Sequence, residues 1–289
     1  MKPPPFDYVE PAEWDHAEAL LAGDEDARVL AGGQSLVPML SYRLVYPSVL
    51  VGLRRLPSLR TVARRDGRVA LGAMVTQREA LRDPSVAAAC PLVRHALACI
   101  GHPQVRSRGT VGGSLAHADP AAELPAALLA LDGTVTVRGP GGPRAIPADQ
   151  LFLGHFSTSL MPGEILTEAS FPAAPRRTGA ACLELTRRPG DFASVGAACQ
   201  ISLDGDGSIS DARIALFAVG DVPVRSRSAE RVMLGARPDE DAWRAASATV
   251  AEELAADAAG SGGYSRRVAP TIVRRALAAA AGRVGEWDG

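Results

Sequence analysis

Lysine is all but missing from this 289-residue chain: Lys2 is the only one, arginine carries the rest of the basic charge, and asparagine does not occur. A P-loop lysine and a Schiff-base lysine are therefore excluded, and so is any N-x-S/T glycosylation acceptor. Cysteine is scarce too. Cys90, Cys99, Cys182 and Cys199 lie far apart in apolar surroundings, with no C-x-x-C pair. That pattern reads as buried free thiols of a cytosolic protein, with neither zinc nor an iron–sulfur cluster held by this chain. The five histidines form no H-x-x-x-H or H-E-x-x-H spacing, so no metal ligand set is expected. No apolar run reaches the roughly 18 residues of a membrane span. The opening Met1-Lys2-Pro3-Pro4-Pro5 lacks the charged-then-apolar layout of a secretory signal, and cytoplasmic placement is the expectation. A net charge of −1 supplies no field to recruit nucleic acid or an anionic membrane.

What is present is ordinary globular composition, 47% hydrophobic and 22% charged, on a chain long enough for two or three compact units. A short helix is predicted from Pro11 to Leu21, a strand over Arg28–Ala31, a helical turn over Val37–Leu44 and a second strand over Ser48–Gly52, together a βαβ-like unit. Beyond Leu56, alternation predicts a strand over Arg68–Val75, and Thr76 is placed to cap a helix running to Leu81. Helices follow over Pro91–Ile100 and Ala121–Leu131, then a strand over Thr134–Arg138, a hard turn over Gly139–Pro143 and a strand over Glu164–Glu168. The proline-rich stretch Pro172–Arg177 marks a boundary. After it, Val195–Leu203 and Ile209–Val219 flank the hairpin turn Asp204-Gly205-Asp206-Gly207, and alanine-rich helices are predicted over Asp239–Ala256 and Pro270–Arg283. The expected units are 1–55, 56–173 and 174–289.

Two glycine-bearing segments carry the functional signal. Val29-Leu30-Ala31-Gly32-Gly33-Gln34-Ser35-Leu36 and Thr110-Val111-Gly112-Gly113-Ser114 each follow a β-like apolar run and combine paired glycines with a hydroxyl residue. Such glycines let main chain approach a ligand with no Cβ in the way, and successive free N–H groups form an anion-binding concavity. Two of them suit the two phosphates of a dinucleotide. Neither fits G-x-G-x-x-G, so a Rossmann site is excluded. A serine triad from Ser114, His117 and Asp119 lacks the G-x-S-x-G elbow, and residues so close in one loop do not adopt triad geometry. Arg187-Arg188-Pro189-Gly190-Asp191-Phe192 reads either as a solvated turn or as an aromatic edge and carboxylate beside a planar cofactor.

The ordered set of Val29 to Leu36, then Val105 through Thr110-Val111-Gly112-Gly113-Ser114 to Asp119-Pro120-Ala121-Ala122-Glu123-Leu124-Pro125, then Arg187 to Ala193, resembles the FAD-binding medium subunits of the molybdenum hydroxylases. The likeness is greatest to the aerobic carbon monoxide dehydrogenase type, related to the flavin domain of xanthine dehydrogenase, and it spans nearly the whole chain. The resemblance implies an α+β fold: a two-subdomain FAD-binding domain of the vanillyl-alcohol-oxidase/PCMH type, then a small antiparallel sheet with helices. It implies that both glycine segments cradle the FAD diphosphate, helped by the hydroxyls of Ser35, Thr110 and Ser114. Glu123, with Asp119 as second candidate, would face a sugar hydroxyl. Ile165 and Leu166 would lie against the flavin ring, Ile100 would stand where relatives can place an aromatic residue, and Asp191-Phe192 would reach the ring edge. Two positions depart from the family pattern: Leu183-Glu184-Leu185 fills a stretch where a lysine is found in relatives, and Gly52 replaces a common aspartate. The implied role is an electron relay, in which a large subunit holds the molybdenum cofactor and a small subunit holds 2Fe-2S clusters. FAD on this chain would pass electrons to an external acceptor, within a dimer of heterotrimers. Against it stand a self-contained flavoenzyme of the same fold, which needs a proton donor or acceptor above the flavin, and a non-catalytic assembly module.

Overall fold

The computed structural model describes residues 2–256 and 263–286. The chain first forms β1 (Asp7–Val9), α1 (Trp14–Ala22), β2 (Arg28–Leu30), α2 (Leu36–Ser41) and β3 (Val49–Gly52). Its sheet is parallel in the order β1-β3-β2, so each link between neighbours is a crossover.

A second unit follows with β4 (Val62–Arg65), β5 (Arg68–Gly72), α3 (Gln77–Arg82), α4 (Pro84–Ala89), α5 (Pro91–Cys99), α6 (Pro103–Arg106), α7 (Val111–His117) and α8 (Glu123–Ala130). It continues through β6 (Thr134–Gly139), β7 (Gly142–Pro147), α9 (Ala148–Leu151), the small pair β8 (Phe152–Gly154) and β9 (Ser157–Thr158), and β10 (Ile165–Pro172). The antiparallel order β4-β5-β10-β6-β7 sets β10 between β5 and β6. Thr76 caps α3 as its sequence position predicts: its hydroxyl accepts from the Glu79 N–H while the Glu79 carboxylate accepts from the Thr76 N–H, a capping box. The strand predicted to reach Val75 stops at Gly72: the Ala73 N–H still donates to Thr167 of β10, but the Met74 N–H donates to Leu59 and the Val75 N–H turns back to Gly72. The turn at Gly139–Pro143 is real but tighter than predicted, and β7 resumes from Gly142.

The last unit is β11 (Thr178–Leu185), β12 (Val195–Leu203), β13 (Ile209–Phe217), β14 (Val224–Arg225), α10 (Arg227–Met233), α11 (Glu240–Ala256) and α12 (Gly263–Ala281). Its antiparallel sheet is covered on both faces. Ala180, Cys182, Ala198, Ala215 and Phe217 pack into the core shared with α5 and α8, while Ala181, Ala197, Cys199, Ile214 and Leu216 pack against the terminal helices. The sheet is therefore a common wall between two cores. The helix expected to begin at Pro270 already runs from Gly263 with Pro270 inside it; the proline costs one backbone hydrogen bond, offset here by the buried face of Ala269, Ile272, Val273, Ala276 and Leu277. Among the described residues no helix is long and apolar enough to cross a membrane.

An ionic anchor joins the last two units. Arg225, only 5% exposed, reaches Glu230 at 2.7 Å and Asp132 just beyond α8 at 2.5 Å, and Arg213 also meets Asp132. Burial pushes the Asp132 carboxyl up, but the facing Arg225 and Arg213 guanidiniums prevail and hold it below the usual carboxylate range.

The bare backbone of β11 touches α12 at Gly179, where an added Cβ would overlap the Ala280 carbonyl. Gly179→Ala is expected to destabilise the chain by about 1–3 kcal/mol, the cost of overpacking against main chain. Thermal unfolding of the variant beside wild type checks this.

Candidate functional site

The first glycine segment is the turn between β2 and α2. Gly33 has φ +73°, the left-handed region, which brings Gly33, Gln34 and Ser35 around in succession. Among the described residues no hydrogen bond engages the main-chain N–H groups of these three, and the Ser35 hydroxyl makes no cap to α2. Gly32 does something else. A Cβ there would overlap the Arg108 carbonyl, so its bareness is what lets this turn lie on the backbone leading into the second segment.

The second segment is not the loop expected from sequence. Thr110 is the N-cap of α7, and Val111 through Ser114 are its first turn. Their amides are not free either. Val111 N–H donates to Val75, Gly112 N–H to Ala73, Gly113 N–H to the Thr110 hydroxyl, and Ser114 N–H to the Thr110 carbonyl. The reason is steric: Gly112 packs so closely on Ala73 that a Cβ would collide with it, which locks α7 onto the chain beyond β5. Gly113 is closely packed as well, since a Cβ there would stand 2.8 Å from Thr110 Oγ1 and 3.3 Å from the Ala31 side chain.

Between the segments lies a cleft of about 580 Å³. Every residue expected at the cofactor lines it except Val111, which is fully buried at the start of α7. Val29 to Leu36 form one side, and Thr110, Gly112, Gly113 and Ser114 form the other. Asp119 and Glu123 stand near the start of α8; one oxygen of Asp119 already accepts the Ala121 N–H at 2.8 Å. Ile100, Ile165 and Leu166 make an apolar wall, buried to 8%, 1% and 4% exposure. The β10–β6 register slips between Leu166 and Glu168, a bulge at the cleft edge of β10. Asp191 and Phe192 close the mouth from the turn after β11, with Phe192 77% exposed.

Sequence reasoning missed Gln77. It lines the cleft at 5% exposure, and its buried Oε1 has no hydrogen-bond partner among the described residues. A buried acceptor without a donor is costly, and a ligand donor can relieve that cost. Nothing in the local sequence signals it, since the helix start at Thr76 explains the stretch equally well.

Titration behaviour is concentrated around the start of α8. Burial drives the Glu123 carboxyl well above the usual range, and Glu184, Cys99 and Asp119 push in the same direction against its own backbone N–H. Glu184, on β11, is pushed up to about 7 by burial, while a hydrogen bond with Glu123 acts to lower it. His117 is held below the usual imidazole value by burial, with Asp119 opposing.

A cleft with free main-chain N–H groups at one side, hydroxyls opposite and branched apolar side chains at its end fits an elongated, anionic, ring-bearing cofactor. These features define a dinucleotide-binding α+β protein built without a Rossmann fingerprint. Residues 4–174 match the family described as FAD binding domain in molybdopterin dehydrogenase, and residues 180–280 match the CO dehydrogenase flavoprotein C-terminal domain. The chain belongs to this family of flavin subunits of multi-subunit oxidoreductases. It is 42% identical to 6-hydroxypseudooxynicotine dehydrogenase complex subunit alpha of Paenarthrobacter nicotinovorans, over 97% of this chain and 96% of that one. It is 40% identical to the nicotine 6-hydroxylase medium subunit of the same organism, over 98% of this chain and 100% of the relative. Among solved structures, carbon monoxide dehydrogenase from Hydrogenophaga pseudoflava lacking the Mo-pyranopterin moiety superposes with a TM-score of 0.91 at 38% identity, covering 98% of this chain and 100% of the other.

Because Gly32 is packed against the Arg108 backbone, Gly32→Ala is expected to lower stability even without ligand, by about 1–3 kcal/mol. Thermal unfolding of the flavin-free chain is the measurement; an unchanged midpoint would contradict the close contact with Arg108.

Proposed function

We propose that this chain is the FAD-binding electron-transfer subunit of a cytoplasmic molybdenum hydroxylase. It passes electrons from 2Fe-2S clusters on a small subunit through FAD to an external acceptor, while a large molybdenum subunit oxidises the substrate. The assembly proposed is a dimer of heterotrimers. The observation that carries the reading is the cleft: unbonded N–H groups of Gly33, Gln34 and Ser35 face hydroxyls of Thr110 and Ser114, with an apolar wall at the far end. The first group would hold the diphosphate, assisted by Ser35, Thr110 and Ser114. Glu123, with Asp119 beside it, would face a sugar hydroxyl; Ile100, Ile165 and Leu166 would lie against the ring, and Asp191 and Phe192 would border its edge. Bound FAD supplies the capacity to exchange electrons one or two at a time, and the protein supplies binding, orientation and electrostatics. The unit limits proposed are 1–55, 56–173 and 174–289, supported by a separate sheet of three or more strands in each. Substrate choice is assigned to the large subunit; the related chains are named for nicotine-derived compounds and for carbon monoxide.

Co-purification with the products of neighbouring genes tests the reading. A yellow complex with iron–sulfur absorption and stoichiometric molybdenum is expected. A colourless complex, or substrate turnover by this chain with FAD alone, would overturn it. Within that complex, Gly33→Val and Gly113→Val are each expected to weaken FAD about thirtyfold, from an obstruction of about 2 kcal/mol. Flavin content after gel filtration reads this out, and full flavin in both variants would refute the cradle.

A further inference from the structure

Glu184 lies outside the cleft and has no part in the assignment above, yet it is one carboxyl away from it. Along β11 the residues Ala180 and Cys182 face the core shared with α5 and α8, and strand alternation puts Glu184 on that same side. There it shares a hydrogen bond with Glu123, whose other side lines the cleft. Two carboxyl groups can share a hydrogen bond only with a proton between them. The Glu184 oxygen Oε2 is enclosed and accepts from no donor among the described residues, so no N–H or hydroxyl group neutralises the pair there. Like-charged carboxylates in a poorly solvated seam retain one proton between them across the neutral range.

We propose that Glu184 is a positioning residue for the cofactor cleft: it takes the hydrogen bond donated by Glu123 and thereby fixes a bare carbonyl oxygen of Glu123 toward the ligand. The inference rests on the FAD reading. With Glu184 ionised, Glu123 spends its proton on Glu184 and presents only an acceptor, suited to a sugar hydroxyl. With Glu184 protonated, either carboxyl can be the donor, and the Glu123 O–H is free to turn into the cleft. The controlling transition is that of Glu184, which burial places at about 7. The ionisable groups around the pair are Cys99 on α5, Cys182 on β11 and Asp119 ahead of α8, with Arg106 on α6 and Arg283 beyond α12 acting on Cys99. None of them is removed by changing Glu184, so a pH step owed to any of them survives that change.

The sign follows from linkage. FAD prefers the ionised Glu184 state, so its affinity rises as pH rises through about 7 and its binding releases protons there. One fixed hydrogen bond corresponds to about a fivefold change in affinity. The experiment titrates FAD into the deflavinated complex from pH 5.5 to 8.5, with wild type and Glu184→Gln followed by flavin fluorescence. A rise of about fivefold in wild type and a flat profile in Glu184→Gln support the proposal. A step of equal size in the variant overturns it, as does a variant weakened equally at every pH, which marks a merely structural role. Calorimetry of FAD binding to wild type at pH 7, in two buffers of different ionisation enthalpy, gives a second reading independent of how the variant folds. Proton release supports the proposal, and none overturns it. Failure of wild type to bind FAD at any pH overturns the FAD reading itself and is told apart from a pH-independent affinity.

Discussion

The contact between Gly32 and the Arg108 backbone is the constraint on which the cleft depends. It joins two turns about eighty residues apart in the chain, and it tolerates no side-chain atom on Gly32. The stretch it rests on is fixed from the other side, because Gln77 N–H donates to Gly109 and Val111 and Gly112 donate to Val75 and Ala73. The amides of the second glycine segment are consumed in holding this arrangement. Those of the first segment, at Gly33 to Ser35, are left unbonded. Two segments that look equivalent in sequence therefore divide the work, one as anchor and one as donor surface. Three of the four glycines permit close packing, Gly32 on Arg108, Gly112 on Ala73 and Gly113 on the Thr110 hydroxyl, while Gly33 supplies the left-handed turn.

The C-terminal sheet is the second support. Because β11, β12 and β13 place alternate residues in two cores, the sheet cannot shift without disturbing both. Arg225 adds an electrostatic constraint at the same seam, since a cation this buried is tolerable only while Asp132 and Glu230 both face it. Breaking such a pair leaves an uncompensated charge, at a cost of about 3–5 kcal/mol. The seam is thus stiff on the Asp132 side, while burial raises both carboxyls on the Glu123–Glu184 side. Under the proposal above, that asymmetry puts a shared proton where a ligand can shift it, and the fixed ion pairs where they hold the wall.

How far the sequence could be read follows the same physics. Thr76 was legible as a cap because the residues that complete a capping box are local. The cleft-lining set was legible because glycine pairs, the Ile165-Leu166 pair and Phe192 keep their order along the chain in the family the sequence resembles. The helical state of Val111 to Ser114 was not, since it is set by Ala73 and Val75, which are distant in sequence. β11 was hidden for a related reason: Gly179-Ala180-Ala181-Cys182 is buried on both faces, so it shows no polar alternation to betray a strand. Gln77 was hidden because only the folded cleft reveals that its Oε1 lacks a partner. α12 was shortened in prediction by Pro270, a residue whose local cost is overruled by the apolar face on either side of it.

The distribution of ionisable groups around the cleft bears on what chemistry it can carry. Glu123 and Asp119 stand together near the start of α8, whereas the apolar wall is Ile100, Ile165 and Leu166. Glu164 adjoins that wall, but its carboxylate is clamped by Arg144 through two hydrogen bonds at 2.7 Å and accepts the Met161 N–H besides. The Arg144 hydrogen bond holds it below the usual carboxylate range despite the opposing effect of burial. A carboxylate so engaged is a poor base, because taking up a proton would sacrifice these charge-assisted bonds. A self-contained dehydrogenase needs a group that accepts a proton from its substrate beside the ring. An electron relay needs only a held cofactor and an accessible edge, and the exposed Phe192 borders such an opening. The placement of charge in this chain therefore supports the electron relay proposed above over a self-contained dehydrogenase.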